Sequence, residues 1–169
     1  MKQILAASAL LACGYLAGAQ AAVHVQPSHL QGPRPLQEQT AAAVIKDYVE
    51  AWQTLHTALD QNSVDVLDRD FVGDAHDKIA GTIKEQQKAG LRSIYKDSSH
   101  NVQITFYSPE GSSIALTDDA EYDVQLLDHD KVQGNQHVSA HYIVVLTPSE
   151  TRWRVRVFEA VPGAKPASK

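Results

Sequence analysis

The chain has 169 residues, with 15 Lys and Arg against 20 Asp and Glu, for a formal charge of −5 at pH 7. That is one domain's worth of sequence, and an acidic domain gains no counterion-release energy from a nucleic acid or an anionic lipid surface, so neither is an expected partner. Cys13 is the single cysteine, which excludes an internal disulfide.

The first stretch reads as a processing signal rather than as structure. Met1-Lys2 is a minimal positive start, residues 4–18 are apolar, and Ala19-Gln20-Ala21 is a small-x-small cleavage site. Residues 1–21 are therefore expected to be removed, with cleavage near Ala21-Ala22 and a periplasmic or secreted product. The apolar run is too short for a spanning helix, so no transmembrane segment is expected. Cys13 leaves with the leader, and with it go thiolate catalysis and cysteine–zinc sites. A competing lipoprotein reading of Leu10-Leu11-Ala12-Cys13 would leave Cys13 lipidated; it is the weaker one, because Leu11 is off-pattern and the preceding apolar region is short. Loss of Lys2 leaves 14 bases against the same 20 acids, a formal charge of −6. The remaining chain, about 148 residues, can bury roughly two-thirds of its unfolded surface without staples.

Residues 22–35 carry Pro27, Pro33 and Pro35 and few apolar side chains. They read as a flexible lead in which His24 and His29 are incidental. The spacing predicts a first helix from Glu38 to Leu59, with Val44, Ile45, Tyr48, Val49, Trp52, Leu55 and Leu59 on one stripe and Lys46, Asp47, Glu50 and Gln53 opposite. Asn62-Ser63 stops it and opens a short second helix in which Val64, Leu67 and Phe71 align. Asp74 reads as the cap of a third helix, with Ile79 and Ile83 inward and Gly90 just past its end. Gly81 inside that helix predicts a close packing contact.

From Asn101 the period changes to two. Val102 to Tyr107 reads as a strand, Ser108-Pro109-Glu110-Gly111 as a tight turn, and Ser113 to Leu127 as a longer strand with Ala120, Tyr122, Val124 and Leu126 inward. Asp128 to Gln136 is expected to be a loop. The chain then closes on a hairpin, His137 to Val161, in which both arms alternate strictly. Pairing Thr147 with Arg152 would set Leu146 against Trp153, Val144 against Val155 and Tyr142 against Val157, one apolar face in all. Residues 162–169 read as a polar disordered tail. The expected fold class is α+β, with three N-terminal helices packed on a curved four-strand antiparallel sheet.

That order resembles the nuclear transport factor 2-like superfamily, which includes ketosteroid-isomerase-like and SnoaL-like proteins. The opening segment VIKDYVEAWQTLHTALDQNSVDVLDRDF and the closing WRVRVFEA hairpin carry the resemblance, which covers residues 36–161. It implies a sheet wrapped around a long helix to form a cone with a pocket, often with dimerisation through the outer sheet face. One departure is the short link Asp70 to Gly73, where many members have a hairpin. No catalytic base or oxyanion donor of the superfamily can be matched by motif, so none is transferred.

The residues offer three classes of function. By parity Glu159 follows Val155 and Val157 on the inner face, where a carboxylate among Tyr48, Trp52, Tyr122 and Tyr142 could act as the proton-transfer base of an isomerase- or cyclase-like enzyme. The same four aromatics could line a pocket for a small apolar ligand, although ordinary core is the commoner role for such spacing. On the outer face, Glu121 and Asp123, then His141, Ile143 and Val145, then Arg152, Arg154 and Arg156, with Phe158, form acidic, apolar and basic rows fit for self- or partner-association. The leading expectation is an exported, non-catalytic binding or assembly module. Asp128-His129-Asp130, His137 and His141 lack the spacing of a metal site, and no phosphate loop or nucleophile elbow is present, so no cofactor is expected.

Overall fold

The computed structural model describes residues 21–32 and 34–162; the leader, Cys13 and the tail from 163 onward lie outside the described residues. The elements in chain order are β1 (Ala22–Val25), α1 (Glu38–Asp60), a 3-10 turn (Asp65–Arg69), α2 (Gly73–Ala89), β2 (Leu91–Tyr107), β3 (Ile114–Asp128), β4 (Lys131–Pro148) and β5 (Trp153–Ala160). The class is α+β, with two α-helices rather than three and five strands rather than four among the described residues. The expected second helix is the 3-10 turn. No described helix is long and apolar enough to cross a membrane.

α1 forms where the apolar stripe predicts it and buries Val44, Tyr48, Ala51, Trp52, Leu55, Ala58 and Leu59. Asp47 departs from the expected solvent side: it is buried and accepts the Trp153 backbone N–H at 2.8 Å. α2 ends at Gly90, whose φ of +67° lets its N–H reach the Gln86 and Gln87 carbonyls. At its start the cap position is Val72, without a side-chain bond, and Asp74 lies in the first turn, where its charge suits the helix dipole. A Cβ on Gly81 would meet nothing within 4 Å, so the expected close contact is absent.

The sheet order is β1-β2-β3-β4-β5, parallel at β1–β2 and antiparallel elsewhere. The fifth strand, β1, comes from the stretch read as a lead. Beyond it, Gln26, His29 and Gln31 donate backbone bonds to Val102, Ile104 and Thr105, continuing along β2. The expected loop after Asp128 is a tight reversal: His129 and Asp130 both take positive φ, 46° and 67°, the signature of a two-residue hairpin turn. β4 therefore begins at Lys131. β5 pairs only with Tyr142 to Pro148, so residues 131–140 of β4 have no strand on their other side among the described residues.

The closing hairpin needs the largest correction. Leu146 pairs with Val155 and Pro148 with Trp153, and Arg156 is an extra residue between Val155 and Val157. Such a bulge reverses the parity of everything beyond it. Phe158 therefore points inward opposite Val144, while Glu159 points outward opposite Ile143. The inner face still forms the core, with Val102, Ile104, Ile114, Leu116, Val144, Leu146 and Val155 buried against α1 and α2. Each such side chain contributes roughly 1.5–3 kcal/mol.

The free edge of β5 is closed by residues 70–72: Val155 N–H donates to the Asp70 carbonyl at 2.8 Å, and Val72 N–H donates to Val155 at 2.9 Å. The Asp70 side chain is buried at the same junction. Burial alone would raise its pKa, but bonds from Thr54, Arg69 and Arg152 outweigh that and hold it below the usual carboxylate value. Arg152 also approaches Glu50, so one clasp ties α1, the 3-10 turn and β5.

Candidate functional site

The inner face of β2 carries polar groups where the other strands carry apolar ones. Ser93, Tyr95 and Asp97 face inward by alternation, and the bulge at Ser98 resets the parity so that His100 follows on the same face. On β3, Asp118 occupies an inward position opposite Val102. α1 presents Tyr48, Trp52 and His56, four residues apart and so on one helix face.

These groups form a continuous chain. Tyr48 Oη donates to Asp118 Oδ2 at 2.7 Å, and His100 Nδ1 lies 2.8 Å from the same oxygen. The Asn101 backbone N–H donates to Asp118 Oδ1 at 3.1 Å. On its other side His100 Nε2 is 3.4 Å from Asp97 Oδ2, and Asp97 Oδ1 is 3.2 Å from His56 Nε2. Asp118 is fully buried and His100 is only 3% exposed. Burial pulls the His100 pKa down, but the bonds to Asp118 and Asp97 outweigh it and push it up to about 9. Burial likewise acts to raise Asp97, yet the neighbouring His100 and His56 rings bring it down to about 2. Tyr95, raised by burial and by its neighbour Tyr122, reaches about 12.

Aromatic rings complete the setting. Trp52 packs on His100 with centroids 4.8 Å apart, and His56 stacks on Tyr95 at 5.4 Å and 16°. A cleft of about 380 Å³ opens between α1 and the β1–β2 edge, with Val49, Trp52, His56, Tyr95, Lys96 and Asp97 among its walls. A smaller, mostly apolar cavity of about 150 Å³ lies between the two helices and Tyr95, Tyr122, Tyr142 and Phe158.

The expected site residues fall into separate places. Tyr48, Trp52, Tyr122 and Tyr142 do cluster: Tyr122 and Tyr142 share a 2.6 Å hydroxyl bond, Trp52 meets both rings, and these three border the smaller cavity while Tyr48 is buried in the core. Glu159 is outside, in an ion pair with Lys78 of α2, so the bulge at Arg156 removes it from the inner face and from any role as a base there. Phe158, expected on the outer face, stacks on Tyr142 at 4.7 Å.

The basic row is not a row. Arg152 sits in the Asp70 clasp, Arg154 donates to the Asp68 and Phe71 carbonyls, and Arg156 lies beside Gly73. Ile143 and Val145 do face outward, and His141 pairs with Asp119, and Asp123 with His137. No group of three or more metal-ligating side chains occurs among the described residues.

No protein-family model matches the chain, and no curated protein does. Solved structures do. The intermembrane space region of the chloroplast protein ARC6 aligns at 16% identity over 76% of this chain and 98% of its own, with a TM-score of 0.62. A Novosphingobium aromaticivorans protein named provisionally as a scytalone dehydratase aligns at 14% identity over 74% and 89%, with a TM-score of 0.53. The Kfla4162 protein of Kribbella flavida aligns at 9% identity over 75% and 95%, with a TM-score of 0.52. These likenesses fit the nuclear transport factor 2-like architecture expected from the sequence. At these identities the likeness concerns architecture alone and brings no residue role with it.

Within this domain, His56, Asp97, His100 and Asp118 are the site residues that the residue pattern did not reveal. Asp118 had a visible signal: it interrupts Ile114, Leu116, Ala120 and Tyr122 at the inward parity of an otherwise apolar strand. Asp97 and His100 had none, because the bulge between them breaks the period that would have placed both on one face.

Proposed function

We propose that this domain is a binding module that takes a small ligand in the cleft between α1 and the β1–β2 edge. The observation that carries this reading is the division of labour in the polar chain. Asp118 is sealed and bonded to His100, whereas His100, Asp97 and His56 line the cleft. The sealed Asp118 carboxylate cannot exchange protons with a ligand; it fixes the charge and orientation of the His100 ring that meets one, which fits a preset polar wall for binding. The cleft volume lies at the low end of the range for small-molecule pockets, about 300–1,000 Å³. Val49 supplies the test, since it lines the cleft without belonging to the polar chain. Screening a fragment library by NMR should move the Trp52 and His56 side-chain signals, and Val49→Trp should weaken the best fragment at least tenfold. Unchanged affinity in that variant would place the binding elsewhere.

A second reading concerns the outer face and rests on a different observation. Phe106, Ala115, Val145 and Val157 are successive cross-strand partners, an apolar row across four strands, with Ile143 beside it 45% exposed. We infer self- or partner-association there, with the Asp119–His141 and Asp123–His137 pairs on the same face. Light scattering at micromolar concentration should return a dimer that Ile143→Glu converts to monomer; a monomeric wild type excludes self-association. Export is part of the same proposal, because the expected cleavage point falls immediately before β1. An intact mass of the exported protein starting elsewhere than near Ala22 would contradict it.

A further inference from the structure

We propose that the ligand of the α1–β2 cleft is a small organic ammonium ion, held by the Asp97 carboxylate between aromatic walls. This rests on the cleft being the binding site, as proposed above. The first ground is the balance of charge. Two carboxylates, Asp97 and Asp118, lie on the inner face on either side of His100, so one imidazolium is shared between two negative groups. A cation arriving at Asp97 completes that balance, whereas an anion would add a third negative charge to a poorly hydrated site.

The second ground is an incomplete contact. Asp97 Oδ1 and His56 Nε2 stand 3.2 Å apart, yet both atoms are buried and neither has an aligned hydrogen bond. A buried acceptor left in this state favours a better donor, and an ammonium group supplies several. The third ground is the wall itself: His56 and Tyr95 stack face to face, and Trp52 stands beside them. Ring faces attract a desolvated cation and give an alkyl or aryl substituent an apolar surface. Lys96 lines the rim of the same cleft, which disfavours a second positive charge and so points to a monoamine rather than a diamine.

The test uses three probes of one shape on the mature protein: benzylammonium, benzyl alcohol and benzoate. Binding is followed by calorimetry and by the NMR signals of the Trp52 indole and the His56 imidazole. Benzylammonium should bind at least tenfold more tightly than either partner, and Asp97→Asn should remove that preference. The comparison among probes on the wild type stands even if the variant folds poorly. If benzyl alcohol or benzoate moves the same signals with equal affinity, the ammonium assignment is overturned while the cleft remains a ligand site. If no probe moves them at millimolar concentration, the assignment and the cleft reading fall together.

Discussion

Val155→Asp is expected to abolish cooperative folding. Val155 is 1% exposed and pairs with Leu146 on the inner face, and its backbone bonds to Asp70 and Val72 on the other side of β5. The substitution therefore places a carboxylate at the seam where sheet, clasp and helices meet, with no cation assigned to it. An unpaired buried charge costs several kcal/mol, a large part of the roughly 5–15 kcal/mol that holds a domain of this size together. Urea titration followed by tryptophan fluorescence should show no sigmoidal transition, and the near-ultraviolet dichroism should be lost. A two-state curve with the wild-type slope would mean that Val155 lies outside the core.

Asp118→Ala should be nearly as damaging, lowering the unfolding free energy by about 3–5 kcal/mol. Three donors converge on this carboxylate: the Tyr48 hydroxyl, the His100 ring and the Asn101 backbone. Removing it strands the Tyr48 hydroxyl and the Asn101 N–H and leaves His100 with Asp97 as its remaining carboxylate partner. The effect has a pH signature. His100 is raised from 6.5 to about 9, so its contribution is complete below 6.5 and disappears as the pH rises through 9. Asp97 is lowered from 3.8 to about 2, so its contribution is complete above 3.8 and disappears as the pH falls through 2. The wild type should therefore lose stability from this cluster at both ends, with a plateau between 3.8 and 6.5. In Asp118→Ala the alkaline loss should shrink and be complete at lower pH, because the stronger of the two contacts to His100 is gone. Urea midpoints measured across that range decide the matter; a variant that keeps the wild-type midpoint and alkaline limb would show that the network is incidental.

What could be read from residue pattern alone follows from where the pattern is kept. α1 keeps a clean helical stripe, and β3 and the closing arms keep a clean alternation, so their existence and inner faces were legible. β2 was half hidden because its inward positions hold Ser93, Tyr95, Asp97 and His100, polar or mixed residues that erase the alternation. The strand was obscured by the very side chains that make it interesting. The first half of β4 was hidden for a different reason: residues 131–137 are exposed on both faces, so no buried side imposes a period. β1 is too short to show one. The Arg156 bulge had the widest effect, since a single unpaired residue exchanged the faces of Phe158 and Glu159 and moved the expected base out of the site. No local residue preference announces such a bulge; it follows from how β5 must meet both β4 and the Asp70 clasp.

The side of β4 that no described strand covers has a use in engineering. Val161, just past β5, donates its backbone N–H to the His141 carbonyl at 2.8 Å, at the head of the stretch 131–140 that no described strand flanks on this side. A designed segment spliced after Val161 would inherit its register from that bond and could run along β4 by main-chain pairing alone. The sheet would be widened at its far end while α1, the polar chain and the cleft stay as they are. That makes this edge a place to attach a reporter strand whose docking reads out the state of the domain from outside it.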